Sequence, residues 1–125
     1  MNARQREELI EKLNAVNSDA VRYLFRHAHG QDHAVKAATL GPMFNLDDRG
    51  LAAEVHAARA IGLPVCSGLP GYWWPVSNAD AEPCLSRERA RFRGLRESYN
   101  GLTSGLDYLF GQPSLLDSAD EGRGL

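Results

Sequence analysis

Apolar residues recur at helical spacing through most of this chain. The break comes at 63–74, where two apolar runs flank a tight Gly/Pro turn. Leu9, Ile10 and Leu13, with Val16 just beyond, follow the 3.6-residue period of an amphipathic helix over 3–14. Asn17, Ser18 and Asp19 offer side-chain caps for a second helix, whose apolar face is Ala20, Val21, Leu24, Phe25 and Ala28. Gly30 suits its end, because glycine tolerates positive φ. Residues 31–35 form a connector with room for a very short strand. Residues 36–44 read as a short helix with Ala37, Leu40 and Phe44 inward, and Pro42 should distort it outside the first turn.

Asn45-Leu46 then makes a turn, and Asp47 is placed to cap the next helix, 47–61. Leu51, Val55 and Ala58 fall on one stripe of that helix. Gly62 ends it and Pro64 blocks continuation. Val65 and Cys66 form one arm of a hairpin, and Leu69-Pro70-Gly71 makes its turn. Tyr72, Trp73 and Trp74 form the other arm, with Pro75 ending the pairing. Alternation sends Tyr72 and Trp74 to one face and Trp73 to the other. One face packs on the core; the other is free to present an aromatic to a partner.

The last helical region opens at 77–80, with a restart at Pro83, a residue welcome at a first helical position. Leu85, Phe92, Tyr99 and Leu106 repeat every seven residues, and Leu95, Leu102 and Leu109 fill the intervening heptad position. Only Glu88 breaks this coiled-coil seam. Gly94, Gly101 and Gly105 each weaken the isolated helix by roughly 1 kcal/mol relative to alanine, so the helix needs a partner surface. Folding back on the N-terminal helix is the intramolecular use of such a seam; dimerisation is the other. Beyond Gly111 a polar, frayed tail is expected.

At 125 residues the chain suits one domain with a real core. No window is apolar enough to span a bilayer, and the charged N-terminus lacks the apolar stretch of a secretory signal, so cytoplasmic residence is expected. Cys66 and Cys84 read as a packed strand thiol and an unrelated helix-start thiol. His27, His29 and His33 look at first like metal ligands. His27 and His29 diverge on one helix, however, and His33 lies past the glycine, so a solvated helix end is the better account. Asp47-Asp48 reads as a cap with a first-turn acid, not as a catalytic pair. No phosphate loop, zincin pattern or nucleophile elbow occurs. The expectation is therefore a protein that is not an enzyme, with no cofactor and no metal.

The stretch 35–74 resembles winged helix-turn-helix domains, particularly those of small phage and prophage proteins. The matching residues are Ala37-x-x-Leu40, then Phe44-Asn45-Leu46-Asp47-Asp48-Arg49-x-Leu51, Val55, Arg59 and Gly62, and finally Pro64-Val65-Cys66-Ser67-Gly68 with Gly71-Tyr72-Trp73. About a third of the chain is covered. Together with the helical periods on either side, it gives an expected fold that is mainly α with a small β-wing: an N-terminal helix (1–16), a winged helix-turn-helix (17–76), a C-terminal helix whose heptad seam is a candidate dimerisation element (77–111) and a flexible tail (112–125). The implied function is binding of double-stranded DNA as a homodimeric regulator, with helix 47–61 in the major groove. Arg49, Ala52, Ala53 and His56 would face base edges, and Arg59, Arg89 and Arg93 would contact phosphates. Phe92, Leu95, Tyr99, Leu102, Leu106 and Leu109 would form the dimer.

Charge pulls against this. The net charge is −2 with a pI near 6.1, whereas DNA-binding domains are usually basic. Relatives often place a second basic residue soon after Arg49, where this chain has Ala52, and the wing turn carries no cation. The basic charge sits instead at 86–96, with Arg87, Arg89, Arg91, Arg93 and Arg96 against Glu88. A winged helix that docks on a protein, such as a phage product engaging a host or defence-system protein, is the alternative. A dimeric assembly protein using only its heptad seam is a third reading.

Overall fold

The computed structural model describes residues 1–111; the tail expected over 112–125 lies outside the described residues. The chain divides into two compact units, Met1–Cys84 and Leu85–Leu125. The architecture is mainly helical with one small antiparallel hairpin. Its order is α1 (Ala3–Ala15), α2 (Asp19–His27), a 3-10 turn (Gln31–His33), α3 (Ala37–Met43), α4 (Asp48–Ala60), β1 (Cys66–Gly68), β2 (Gly71–Trp73) and α5 (Asn78–Phe110).

Local chemistry explains where each helix starts and stops. Asn2 and Gln5 cap α1 reciprocally: the Gln5 N–H donates to Asn2 Oδ1 (2.8 Å) and the Asn2 N–H donates to Gln5 Oε1 (2.9 Å). The Ser18 hydroxyl accepts from the Val21 N–H (3.0 Å) and starts α2. α3 ends with Asn45 at φ +59°. There the Leu46 N–H donates to the Gly41 carbonyl (2.9 Å) and the Asn45 N–H to the Pro42 carbonyl (3.3 Å), satisfying carbonyls that helix ends leave open. The same closure ends α4 at Gly62, φ +93°, where Leu63 donates to Ala58 and Gly62 to Arg59. Asp47 caps α4 by accepting from the Gly50 N–H at 2.7 Å.

Pro42 lies in the last turn of α3, which ends at Met43, and the Ala38 carbonyl that loses its donor sits at an exposed residue. Pro83 does not restart a helix; α5 already begins at Asn78. Its first turns are anchored elsewhere. The Asp80 carboxylate accepts from the Gln31 N–H (3.0 Å) and the Val76 N–H (3.2 Å), and Cys84 is buried.

The core of the first unit joins Leu13 and Val16 beyond α1's exposed face, Ala20, Val21 and Leu24 of α2, Leu40 of α3, and Leu51, Val55 and Ala58 of α4. Leu63, Val65 and Trp74 complete it. The Trp74 ring meets Phe25 edge-on at 5.0 Å between centroids, a favourable aromatic geometry. A second, smaller cluster buries Cys66, Trp73 and Cys84, with Ala34 and Ala81 beside them.

The hairpin pairs Cys66 with Trp73, Ser67 with Tyr72 and Gly68 with Gly71. The 28–35 connector stitches the outer edge of β2. Val35 and Tyr72 exchange both backbone bonds (2.8 and 2.9 Å), the Trp74 N–H donates to the Ala28 carbonyl, and the Gly30 N–H donates to the Trp74 carbonyl, each at 2.8 Å. Of the strand expected in the connector, what forms is this bridge at Val35. The close approach depends on Gly71, at φ +124°, where an added Cβ would lie 2.4 Å from the Val35 carbonyl oxygen. Gly71→Ala should therefore destabilise the first unit by at least ~2 kcal/mol, from strain plus lost edge bonds. Urea unfolding followed by tryptophan fluorescence measures this, and a midpoint unchanged from wild type would contradict the account.

Candidate nucleic-acid interface

α4 turns one face inward through Leu51, Val55 and Ala58, and presents Arg49, Ala52, Ala53 and His56 outward. These four fall at helical spacing on one exposed strip near the capped N-terminus. The alanines leave the backbone of the strip uncovered, so a flat or convex partner can come close to it. Asp48 lies in the first turn and offsets part of the charge of Arg49. The other acid of this helix, Glu54, points inward. The Ser18 hydroxyl donates to its carboxylate at 2.5 Å, which ties α4 to the start of α2. Ser18 lies 36 residues from Glu54 in the chain, beyond the reach of helical spacing.

Arg59 is corrected from phosphate contact to internal brace. Its Nε donates to the Val65 carbonyl (2.8 Å), and Nη2 donates to the Ser67 hydroxyl (3.0 Å) and approaches Cys84 Sγ (3.6 Å). One planar guanidinium thus holds the approach to β1, β1 itself and the start of α5 together, which a lysine cannot do. Arg89 and Arg93 are exposed on α5 in the second unit, apart in sequence from the α4 strip.

The hairpin offers neither cations nor an outward indole. Trp73 is fully buried, Trp74 nearly so, and Tyr72 half-buried. The expectation of a partner-facing aromatic is therefore wrong for Trp73. The connector and the start of α5 cover the face that a two-stranded hairpin alone would have left open. The Trp73 indole N–H meets no acceptor among the described residues, so its burial is carried by apolar packing. The exposed apolar residue of the hairpin is Leu69 at the turn, 95% accessible.

The thiols are not unrelated. Cys66 and Cys84 share the second cluster, and Cys84 Sγ accepts from the Ser67 N–H at 3.3 Å. Burial and the adjacent Cys84 push the Cys66 thiol up to about 12 from an ordinary 9.0. Both are free thiols. Among the histidines, His29 Nε2 contacts the Phe25 carbonyl and His33 Nδ1 contacts the His29 carbonyl, both local helix-end bonds. No group of three or more His, Cys, Asp or Glu side chains able to hold a metal occurs among the described residues. No helix among them is long and apolar enough to cross a membrane.

The protein is thus a mainly α chain with a small β hairpin, in which a capped helix presents a short basic and small-residue strip. No known protein family, characterised protein or solved structure matches it.

Arg59 and Arg49 should separate cleanly in stability. Arg59→Ala removes the side-chain donor to the Val65 carbonyl and the Ser67 hydroxyl and should cost about 1–3 kcal/mol, while exposed Arg49→Ala should stay within about 0.5 kcal/mol of wild type in the same chemical-denaturation assay. The raised Cys66 pKa gives a second outcome. The unfolded chain loses this proton near 9.0 and the folded chain only near 12, so the stabilisation is complete below about 9 and declines as pH rises toward 12. Urea midpoints measured between pH 8 and 11 should fall, and Cys66→Ala should flatten that dependence.

Proposed function

We propose that this protein binds double-stranded DNA as a homodimeric regulator of the winged-helix type, with α4 as the helix that enters the major groove. One observation carries the reading: the exposed strip Arg49–Ala52–Ala53–His56 sits on a helix that follows a tight left-handed turn after α3 and is itself held by a stitched hairpin. Arg49 and His56 are the groups with donors for base edges, and the two alanines allow close approach and apolar contact with thymine methyls. Arg89 and Arg93 supply phosphate contacts from α5. The resemblance of 35–74 suggests a phage or prophage setting, and a cytoplasmic home accords with a DNA-binding role. With Trp73 inside the core, docking on a protein through the hairpin's aromatics loses the support of that indole.

The supply of cations is small once Arg59 is committed internally. Affinity for DNA follows the number of phosphates neutralised, so binding should be modest and seen best at low salt. Titration of labelled duplex DNA from 50 to 200 mM salt is the test. Arg49→Ala should weaken binding and reduce sequence selectivity, whereas Arg93→Ala should weaken all sequences alike and reduce the salt slope by about 1. Absence of any shift at 50 mM salt with protein at tens of micromolar would overturn the DNA reading.

A further inference from the structure

We infer that the exposed seam of α5 pairs with a second copy of this chain in antiparallel orientation, with Phe92 opposite Leu109, Leu95 opposite Leu106 and Tyr99 opposite Leu102 of the other protomer. This rests on the dimeric part of the proposed function and is independent of the DNA part. Four of the six seam residues are exposed, Phe92 57%, Leu95 63%, Leu102 63% and Leu109 68% accessible, while Tyr99 and Leu106 are half-buried. Three glycines further weaken the helix that carries them. A Cβ added at Gly94, Gly101 or Gly105 would meet nothing within 4 Å among the described residues, so these glycines serve no close contact there. A helix of this composition gains most from burial of its apolar stripe.

The six seam residues are spaced three, four, three, four, three. That order reads the same from either end, so a reversed copy places every seam side chain in a layer with another. Orientation then follows from what each arrangement puts face to face. A parallel, in-register pair stacks Phe92 on Phe92 and Tyr99 on Tyr99, and brings Glu88 against Glu88 at the seam position that breaks the pattern. It also sets Arg91 of one helix beside Arg96 of the other, at the flanking positions that decide coiled-coil pairing. Neither helix carries an acid at those flanks in 89–105 to relieve the repulsion.

The antiparallel register removes each conflict. Every aromatic faces a leucine, which evens the volume of the layers. Glu88 falls outside the overlap and keeps its ion pair with Arg91 on its own helix (3.8 Å). Arg96, whose guanidinium lies 5.3 Å from the Phe92 ring centre, then flanks Thr103 of the other protomer instead of an arginine. The five arginines of 87–96 project from opposite ends of the paired segment, so like charges are spread apart.

The test uses the full chain. Sedimentation equilibrium at tens of micromolar should give twice the 13.7 kDa chain mass. Leu95→Asp combined with Leu102→Asp should give a monomer with unchanged thermal unfolding of the first unit, because both side chains are exposed. Orientation is read by oxidative cross-linking of Leu95→Cys and Leu106→Cys variants, one carrying a size tag, with wild type as the control for the buried native thiols. Antiparallel pairing predicts a mixed disulfide when the two variants are combined. It predicts little self-linking of either alone, since like positions then lie about 16 Å apart along the axis. A monomeric wild type would overturn both the dimer and its orientation. Efficient self-linking of each variant alone would overturn the orientation and leave the dimer standing. Neither result bears on the duplex titration.

Discussion

The backbone exchange between Val35 and Tyr72 is the constraint on which the rest of the first unit depends. It holds the second hairpin strand against the link between α2 and α3, and so turns a two-stranded hairpin into the middle of a stitched layer. A two-stranded hairpin alone is marginal in water. Edge bonds on its far side, with Ala28, Gly30 and Val35 as partners, give β2 support on both edges. The condition is steric: the Val35 carbonyl occupies the space a side chain at position 71 would need.

Once β2 is held this way, its alternating side chains fall into two separate cores. Trp74 enters the main helical core beside Phe25, and Trp73 enters the smaller cluster with Cys66 and Cys84. Two polar ties then orient α4 between them. Ser18 binds Glu54 on its inner side, and Arg59 binds the approach to β1 and Cys84 at its C-terminal end. The outward strip of α4 is what remains after these commitments. Its modest charge is therefore a consequence of packing as well as of composition: one of the helix's two arginines is spent on the fold.

The second unit follows a different logic. Its helix is regular, and Phe92, Leu95, Leu102 and Leu109 of its apolar seam are exposed. The reversed pairing proposed for that helix rests on a seam whose spacing is symmetric while its charges are not. The arginine-rich part of the helix and the α4 strip belong to separate units.

Much of this architecture was legible in the sequence, because the information was local. Caps at Ser18 and Asp47, the left-handed ends at Asn45 and Gly62, the stripes on α2 and α4, the hairpin turn and the heptad seam all depend on residues within a turn or two of one another. The mainly α fold with a small β-wing could be read from them. The helix restart expected at Pro83 was a local misreading, but the errors that bear on the site were non-local. Arg59 was assigned outward, Cys84 was taken as unrelated to Cys66, and Trp73 was left open to a partner. In each case the deciding partner is distant in the chain: Cys84 for Arg59 and Cys66, the connector and the start of α5 for Trp73. The sequence by itself determined which segments are helix, turn and strand, since backbone preference and hydrophobic period are short-range. Only the tertiary structure decided which polar and aromatic side chains serve the core and which remain for a partner, since that depends on where chain-distant donors, acceptors and apolar surfaces meet.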